Sequence, residues 1–202
     1  MNNIFLRGEL KNISHSHNIG DVEYSKAVLV TKREDGTEDI VNLKFKSFSN
    51  PYKENDLIEV KGNLRSYSCK VAENKNKVTL YVFTYFDRLK DEEIGEANNL
   101  VEIDGRICKI NPIRTTKSGK HNIHFIIANN LMYDDGHKRL NSYIPCIAWG
   151  TTAKELDKLK VTDRIKINGE LHSREHKKIH ENGEIEFRVA HELHVKSFEV
   201  IE

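Results

Sequence analysis

The chain is short of almost everything that staples or interrupts a small fold. Its 202 residues hold three prolines, eleven glycines and a single tryptophan, Trp149. The three cysteines, Cys69, Cys108 and Cys146, are odd in number and far apart. That excludes a disulfide framework and a CxxC metal site, suits a reducing compartment, and leaves them as small buried residues on strands. No apolar run approaches the roughly 20 residues a spanning helix needs. The opening "MNNIFLRGEL" lacks the basic-then-apolar pattern of a secretory leader, so a cytoplasmic protein is expected. A glycine-rich phosphate loop, a nucleophile elbow and an acidic cluster at two-metal spacing are all missing. The expectation is a protein that is not an enzyme, with no metal and no cofactor.

A dominant charge is missing too. With 32 Lys and Arg against 31 Asp and Glu the net charge is +1, so bulk electrostatics do not make this a basic nucleic-acid binder. The charges are nevertheless segregated. Arg106–Tyr133, Lys138–Lys154, Ile40–Lys53 and Lys61–Ala72 contain no acid, whereas acids gather at Asp87–Glu96 and Glu181–Glu186. A neutral chain with such stretches can still present a positive groove.

What is present is a repeat. "KENDLIEVKGNLRS" (53–66) matches "KVTDRIKINGELHS" (160–173) at an offset of 107, as from Ser66 to Ser173. The same offset lays "KVTLYVFTYF" (77–86) on "EIEFRVAHEL" (184–193), and "FLRGEL" (5–10) meets "EIDGRI" (102–107) at an offset of 97. This predicts two copies of one unit: a divergent first domain at 1–89, the acidic linker "KDEEIGEANN" within 90–99, and a second domain at 100–202.

Each copy alternates apolar and polar residues with period two, as half-buried strands do. Asp-Gly in "EDGTED" and "DDGHKR" signals hairpins. Gly62 and Gly169, inside strand patterns, predict a bulge or bend. Only "TTAKELDKLK" (151–160) reads as helix, with Thr151 or Thr152 as cap and Ala153, Leu156 and Leu159 on one face. In the first copy "NPYKEND" replaces it with a loop or a single turn. The expected fold is all-β: two tandem OB-fold Greek-key barrels, with a short helix between strands 3 and 4 of the second.

The second copy resembles the OB domain of bacterial single-stranded DNA-binding proteins. The matching pieces, in order, are Gly105-Arg106, Pro112, Arg114, Ser118-Gly119, Phe125–Ala128, Pro145, Trp149-Gly150, the helix, Gly169-Glu170-Leu171 and Ser173-Arg174. They span nearly all of residues 100–199, and the first copy resembles the family mainly through the second. The resemblance implies sequence-nonspecific binding of single-stranded DNA, protecting exposed strands in replication, recombination or repair. It also implies a nucleoid-associated cytoplasmic protein whose homodimer brings four OB domains together, exposed sheet edges offering a route to pairing. Replication proteins are implied as partners, but the acidic, hydrophobic-tipped tail through which the family recruits them is not seen after "SFEVIE", and His176 stands where an aromatic is common. Two other readings stay open. In one, only the second domain binds nucleic acid and the first docks a replication or primosome protein; in the other, the chain is an RNA-binding OB protein.

A strand-binding surface needs cations for phosphates and aromatic faces for bases. Alternation along "SYIPCIAWG" (142–150) places Ile144, Cys146 and Ala148 on one face and Tyr143, Pro145, Ile147 and Trp149 on the other. The resemblance places a base-stacking aromatic at Trp149, burial in a core or subunit contact being the alternative. Tyr143 and Tyr133 follow as stacking or packing residues. Arg114, Lys117 and Lys120 flank an acid-free "TTKSG" loop suited to phosphates, with Arg106, Lys138, Arg139 and Arg174 beside them. In the first copy "LKFKSFSNPYK" interleaves Lys44 and Lys46 with Phe45 and Phe48. Phe45 aligns with Trp149, core packing being its alternative, and Arg65 and Tyr67 extend the same path. His172, His176, His180, His191 and His194 read as solvated hairpin histidines rather than metal ligands.

Overall fold

A computed structural model describes residues 1–72, 75–86, 98–133, 138–179 and 185–201, and it is overwhelmingly β. The first barrel comprises β1 (Asn2–Ile19), β2 (Val22–Lys32), β3 (Glu38–Lys46), β4 (Leu57–Ala72) and β5 (Lys75–Thr84). The second comprises β6 (Asn99–Ile110), a two-residue β7 (Arg114–Thr115), β8 (His121–Tyr133), β9 (Lys138–Trp149), β10 (Arg164–Ile179) and β11 (Ile185–Ile201). Its α-helix, α1 (Gly150–Leu156), lies between β9 and β10. In barrel 1, β1 pairs with both β2 and β4, β2 with β3, β4 with β5, and β3 runs parallel to β5. Barrel 2 repeats the circuit through β6, β8, β9, β11 and β10, with β9 and β11 parallel. This is the expected pair of OB barrels.

Alternation builds both interiors. In barrel 1, Leu6, Leu29, Val41, Leu43, Phe45, Leu64 and Val82 point inward and are buried; in barrel 2, Ile103, Phe125, Ile127, Ile144, Ala148, Leu171 and Leu193 do the same. Barrel curvature brings backbones so close at Gly62 and Gly169 that an added Cβ would lie 2.3 Å from the carbonyl oxygens of Phe83 and His194. A register shift between Asn168 and Gly169 marks the bulge in the second copy. Gly36, with φ +81°, forms the expected Asp-Gly turn between β2 and β3. The second such turn, and most of the expected linker, lie outside the described residues.

One detail of the helix differs from expectation. The helix starts at Gly150 with Trp149 as its cap and no side-chain capping bond, so neither Thr151 nor Thr152 serves. Its buried Ala153 and Leu156 join the core of barrel 2. At the corresponding place barrel 1 has only a 3-10 turn, Ser47–Ser49, and Phe45, Phe86 and Tyr52 pack edge to face at 5.0 and 5.3 Å to fill the space.

The barrels are joined strand to strand. Residues 2–6 of β1 pair antiparallel with 99–103 of β6, merging all eleven strands into one sheet. Equivalent residues of the repeat make equivalent bonds about this joint. Asn2 grips Leu64 by accepting from its N–H and donating to its C=O, both at 2.8 Å, and Asn99 grips Leu171 the same way at 2.9 and 2.7 Å. Ser66 accepts from Tyr143 N–H at 2.7 Å, while Ser173 accepts from Ile40 N–H at 2.8 Å. The return bonds differ: Ser66 N–H donates to Ser142 Oγ at 3.3 Å, but Ser173 N–H donates to the fully buried Asp39 at 2.5 Å. Asp39 also takes two bonds from Arg33, at 2.6 and 2.7 Å. Burial alone would push its carboxyl up; the bonds from Arg33 and Ser173 outweigh that and hold it below the usual carboxylate value. The facing stretches of β1 and β6 thus pair within the chain.

Candidate nucleic-acid interface

Strand β9 presents the faces its alternation predicted. Ile144, Cys146 and Ala148 are buried, whereas Tyr143 is 48% and Trp149 41% exposed on the outer surface. Ile147 shares the outer face but is covered by its neighbours. At about 3.3 Å per residue the two rings stand about 20 Å apart. Tyr143 sits at the joint, its N–H bonded to Ser66 of barrel 1.

Strand register collects the cations around these rings. Asn122 of β8 pairs with Trp149 on one side and Arg114 on the other, so Arg114 and Trp149 share one outer row two strand spacings apart, about 10 Å. Lys117 and Lys120 project from the turn beyond Arg114, which is closed by Gly119 N–H to Thr116 O at 2.9 Å and Thr116 N–H to Lys120 O at 2.8 Å. Ala128 pairs with Tyr143 and with Arg106, which is exposed and donates to Thr162 O at 3.0 Å. Arg139 is exposed on the outer side of β9. Tyr133 and Lys138 face each other across the strand ends, but their side chains lie outside the described set.

Beside Trp149 runs an open groove of about 420 Å³, lined by Ile147, His124, Glu192, His194 and Arg174 and closed by Arg33 of barrel 1. Arg174 and Trp149 thus meet in one groove although 25 residues separate them along the chain, from 149 to 174. The histidines here are not the solvated hairpin residues expected. His172 and His194 lie with ring centroids 4.2 Å apart, His172 contacts Glu170 at 3.0 Å, and buried His191 donates to Ile40 O at 2.7 Å across the joint. Burial, followed by the positive charges of His172 and Arg33, pulls His194 down to about 4. Arg33 and Ile40 of barrel 1 thus lie directly against this face of barrel 2. Cys108 also departs from expectation: it is exposed.

In barrel 1 one expected residue is corrected. Phe45 is completely buried and cannot stack on a strand. Leu43 pairs with Val82, and Cys146 with Leu193, so Phe45 corresponds to Ala148 and it is Lys46 that corresponds to Trp149. A one-residue slip exchanges the faces of a strand. The other residues do face outward. Phe48 is 77% and Tyr67 57% exposed. Lys46 Nζ lies 5.7 Å from the Phe48 ring, Lys44 Nζ 4.8 Å from the Tyr81 ring, and Arg65 stacks 4.1 Å over Phe83 while donating to Tyr85. Tyr24, Tyr81 and Lys26 were missed, whereas Phe83, with Arg65 over its ring, is buried. Alternation in "KVTLYVFTYF" was the available signal, since it places Tyr81, Phe83 and Tyr85 on the face opposite Leu80, Val82 and Phe86.

The class defined by this architecture is a tandem OB-barrel protein with aromatic and basic residues on its outer faces. Residues 98–201 match the Single-strand binding protein family, and the chain belongs to that family. Among solved structures, the wild-type single-stranded DNA binding protein of Thermus aquaticus superposes with a TM-score of 0.70 at 17% identity, covering 100% of this chain and 93% of that one. A deletion mutant of the same protein gives 0.69 at 16% identity, covering 100% and 95%. These likenesses establish the shared fold over both barrels. No curated protein sequence matches the chain.

Proposed function

We propose that the chain binds single-stranded DNA without sequence preference and protects exposed strands during replication, recombination or repair. The observation that carries this reading is the outer face of barrel 2, where exposed Trp149 shares a row with Arg114 and a groove with Arg174. A ring and two cations at that spacing supply what a strand needs: a flat apolar face for a base and charge for the phosphates beside it. Tyr143 and Arg106 continue the path toward the joint, and Lys117, Lys120 and Arg139 flank it, with Tyr133 and Lys138 at the hairpin. Family membership supports the same reading. Two chains would provide the four barrels that the resemblance implies; because β1 and β6 already pair within the chain, such a dimer would use sheet faces rather than these edges.

Anisotropy of labelled oligo-dT tests the proposal. Trp149→Ala and Arg114→Ala should each weaken binding, Trp149→Ala by about 5- to 150-fold, the equivalent of 1–3 kcal/mol for one stacked base. Tighter binding to matched RNA would move the function to RNA. Unchanged affinity in both variants would remove this face from the interface.

A further inference from the structure

The groove beside Trp149 has a counterpart in barrel 1 with different chemistry. Lys26 occupies the position of His124, Lys44 that of Ile147, Tyr67 that of Arg174 and Tyr81 that of Glu192, as the strand registers show. These four residues line an open groove of about 390 Å³ to which no acidic side chain contributes among the described residues. Lys26 and Lys44 are direct cross-strand partners on its floor. Like charges placed directly opposite destabilise a sheet pair, so the arrangement costs stability unless an anion sits between them. Burial, then the Lys26 charge, push the Lys44 ammonium below its ordinary value, a strain that a bound anion relieves. Lys44 Nζ lies 4.8 Å from the Tyr81 ring centroid and 6.0 Å from that of Tyr67, a residue that is 57% exposed.

We propose that Lys26 and Lys44 clamp one backbone phosphate of single-stranded DNA while the ring of Tyr67 takes the adjoining base, with Tyr81 positioning Lys44. The site lies outside residues 98–201, the part of the chain that the family model covers. It rests on the reading that the chain binds single-stranded DNA, and it makes barrel 1 a second, more strongly cationic contact for the same strand.

The test uses the full chain. Oligo-dT binding is followed by Trp149 fluorescence, which reports barrel 2, while titration of poly-dT gives the occluded length. In Lys26→Ala/Lys44→Ala, Trp149 should still quench and the occluded length should shrink. The slope of log affinity against log salt should flatten by about 0.7, the value for one phosphate charge left unneutralised on a single strand. Removing the lysine pair should not lower the melting temperature, which checks the fold. In Tyr67→Ala affinity should fall about 5- to 150-fold with the slope unchanged. Retained quenching with wild-type slope and length in both variants would overturn the proposal and leave barrel 1 free to dock a protein. Absence of any binding by the wild-type chain would instead overturn the DNA-binding reading itself.

Discussion

Replacing Asp39 with Asn tests what holds the barrels in register. The side chain is fully buried and accepts from Arg33 twice, at 2.6 and 2.7 Å, and from Ser173 N–H at 2.5 Å. Asn preserves the shape but removes the charge and turns an amide N–H₂ toward a donor. Breaking a buried ion pair by removing one partner costs about 3–5 kcal/mol. The Arg33 side chain is 28% exposed, so water can partly re-solvate it, and a destabilisation of about 3 kcal/mol is expected. Ser142 occupies the equivalent position across the pseudo-two-fold and makes one neutral bond, to Ser66 N–H, so Ser142→Ala should cost about 1 kcal/mol. Urea unfolding of both variants at pH 7 measures the two values. The pH dependence supplies a second check. Because Asp39 is held below its ordinary 3.8, its contribution is fully present above that value and is lost as pH falls through the folded-state value. The wild-type advantage over Asp39→Asn should therefore be constant from pH 7 to about 5 and shrink below 3.8. Equal stability of Asp39→Asn and wild type at pH 7, or a deficit that persists undiminished at the acid end, would refute the assignment.

Other outcomes follow from the same geometry. Gly62→Ala and Gly169→Ala each force a Cβ to within 2.3 Å of a carbonyl oxygen and should lower stability by about 1–3 kcal/mol in thermal unfolding, even though both sites are strand positions where Ala is otherwise tolerated. His194, half-buried and pulled down to about 4, stabilises the fold above its ordinary 6.5, and that contribution is lost as pH falls from 6.5 toward 4. His194→Gln should flatten the stability profile over that window, read by chemical denaturation at several pH values. Asn2→Ala removes both bonds to Leu64 and a third to Asn129, so it should lower the midpoint of urea unfolding more than an exposed Asn→Ala control such as Asn130→Ala.

Much of this molecule is legible from local pattern. The repeat, the two barrels, the helix, the Asp-Gly turn at Gly36 and the two faces of β9 follow from period-two alternation and a few glycines, because those signals act within one strand. What local pattern could not carry was register across a gap. The lining of 77–86 on 184–193 at offset 107 is four residues out: Val82 corresponds to Leu193, since the β10–β11 hairpin is longer than its β4–β5 counterpart. An even slip preserves the alternation, so nothing in the pattern exposed it. The slip at Phe45 was a single residue and exchanged core for surface, because the first copy lacks the helix that would have anchored the alignment. The joint between barrels is a contact of distant strands. Asn2 and Gly8 recur as Asn99 and Gly105, but these asparagines grip Leu64 and Leu171 within their own barrels, so the recurrence carries the repeat and not the joint. The histidines illustrate the same limit: alternation assigns a face, but not that Arg33 and Ile40 of barrel 1 lie against it.

The most direct measurement is the fluorescence of Trp149 titrated with oligo-dT at low and at high salt, since the chain has one tryptophan and it is 41% exposed on the proposed face. Strong quenching is expected at low salt, with affinity that falls as salt rises because binding to phosphates releases counterions. Unchanged fluorescence together with unchanged mobility of the oligonucleotide would contradict it.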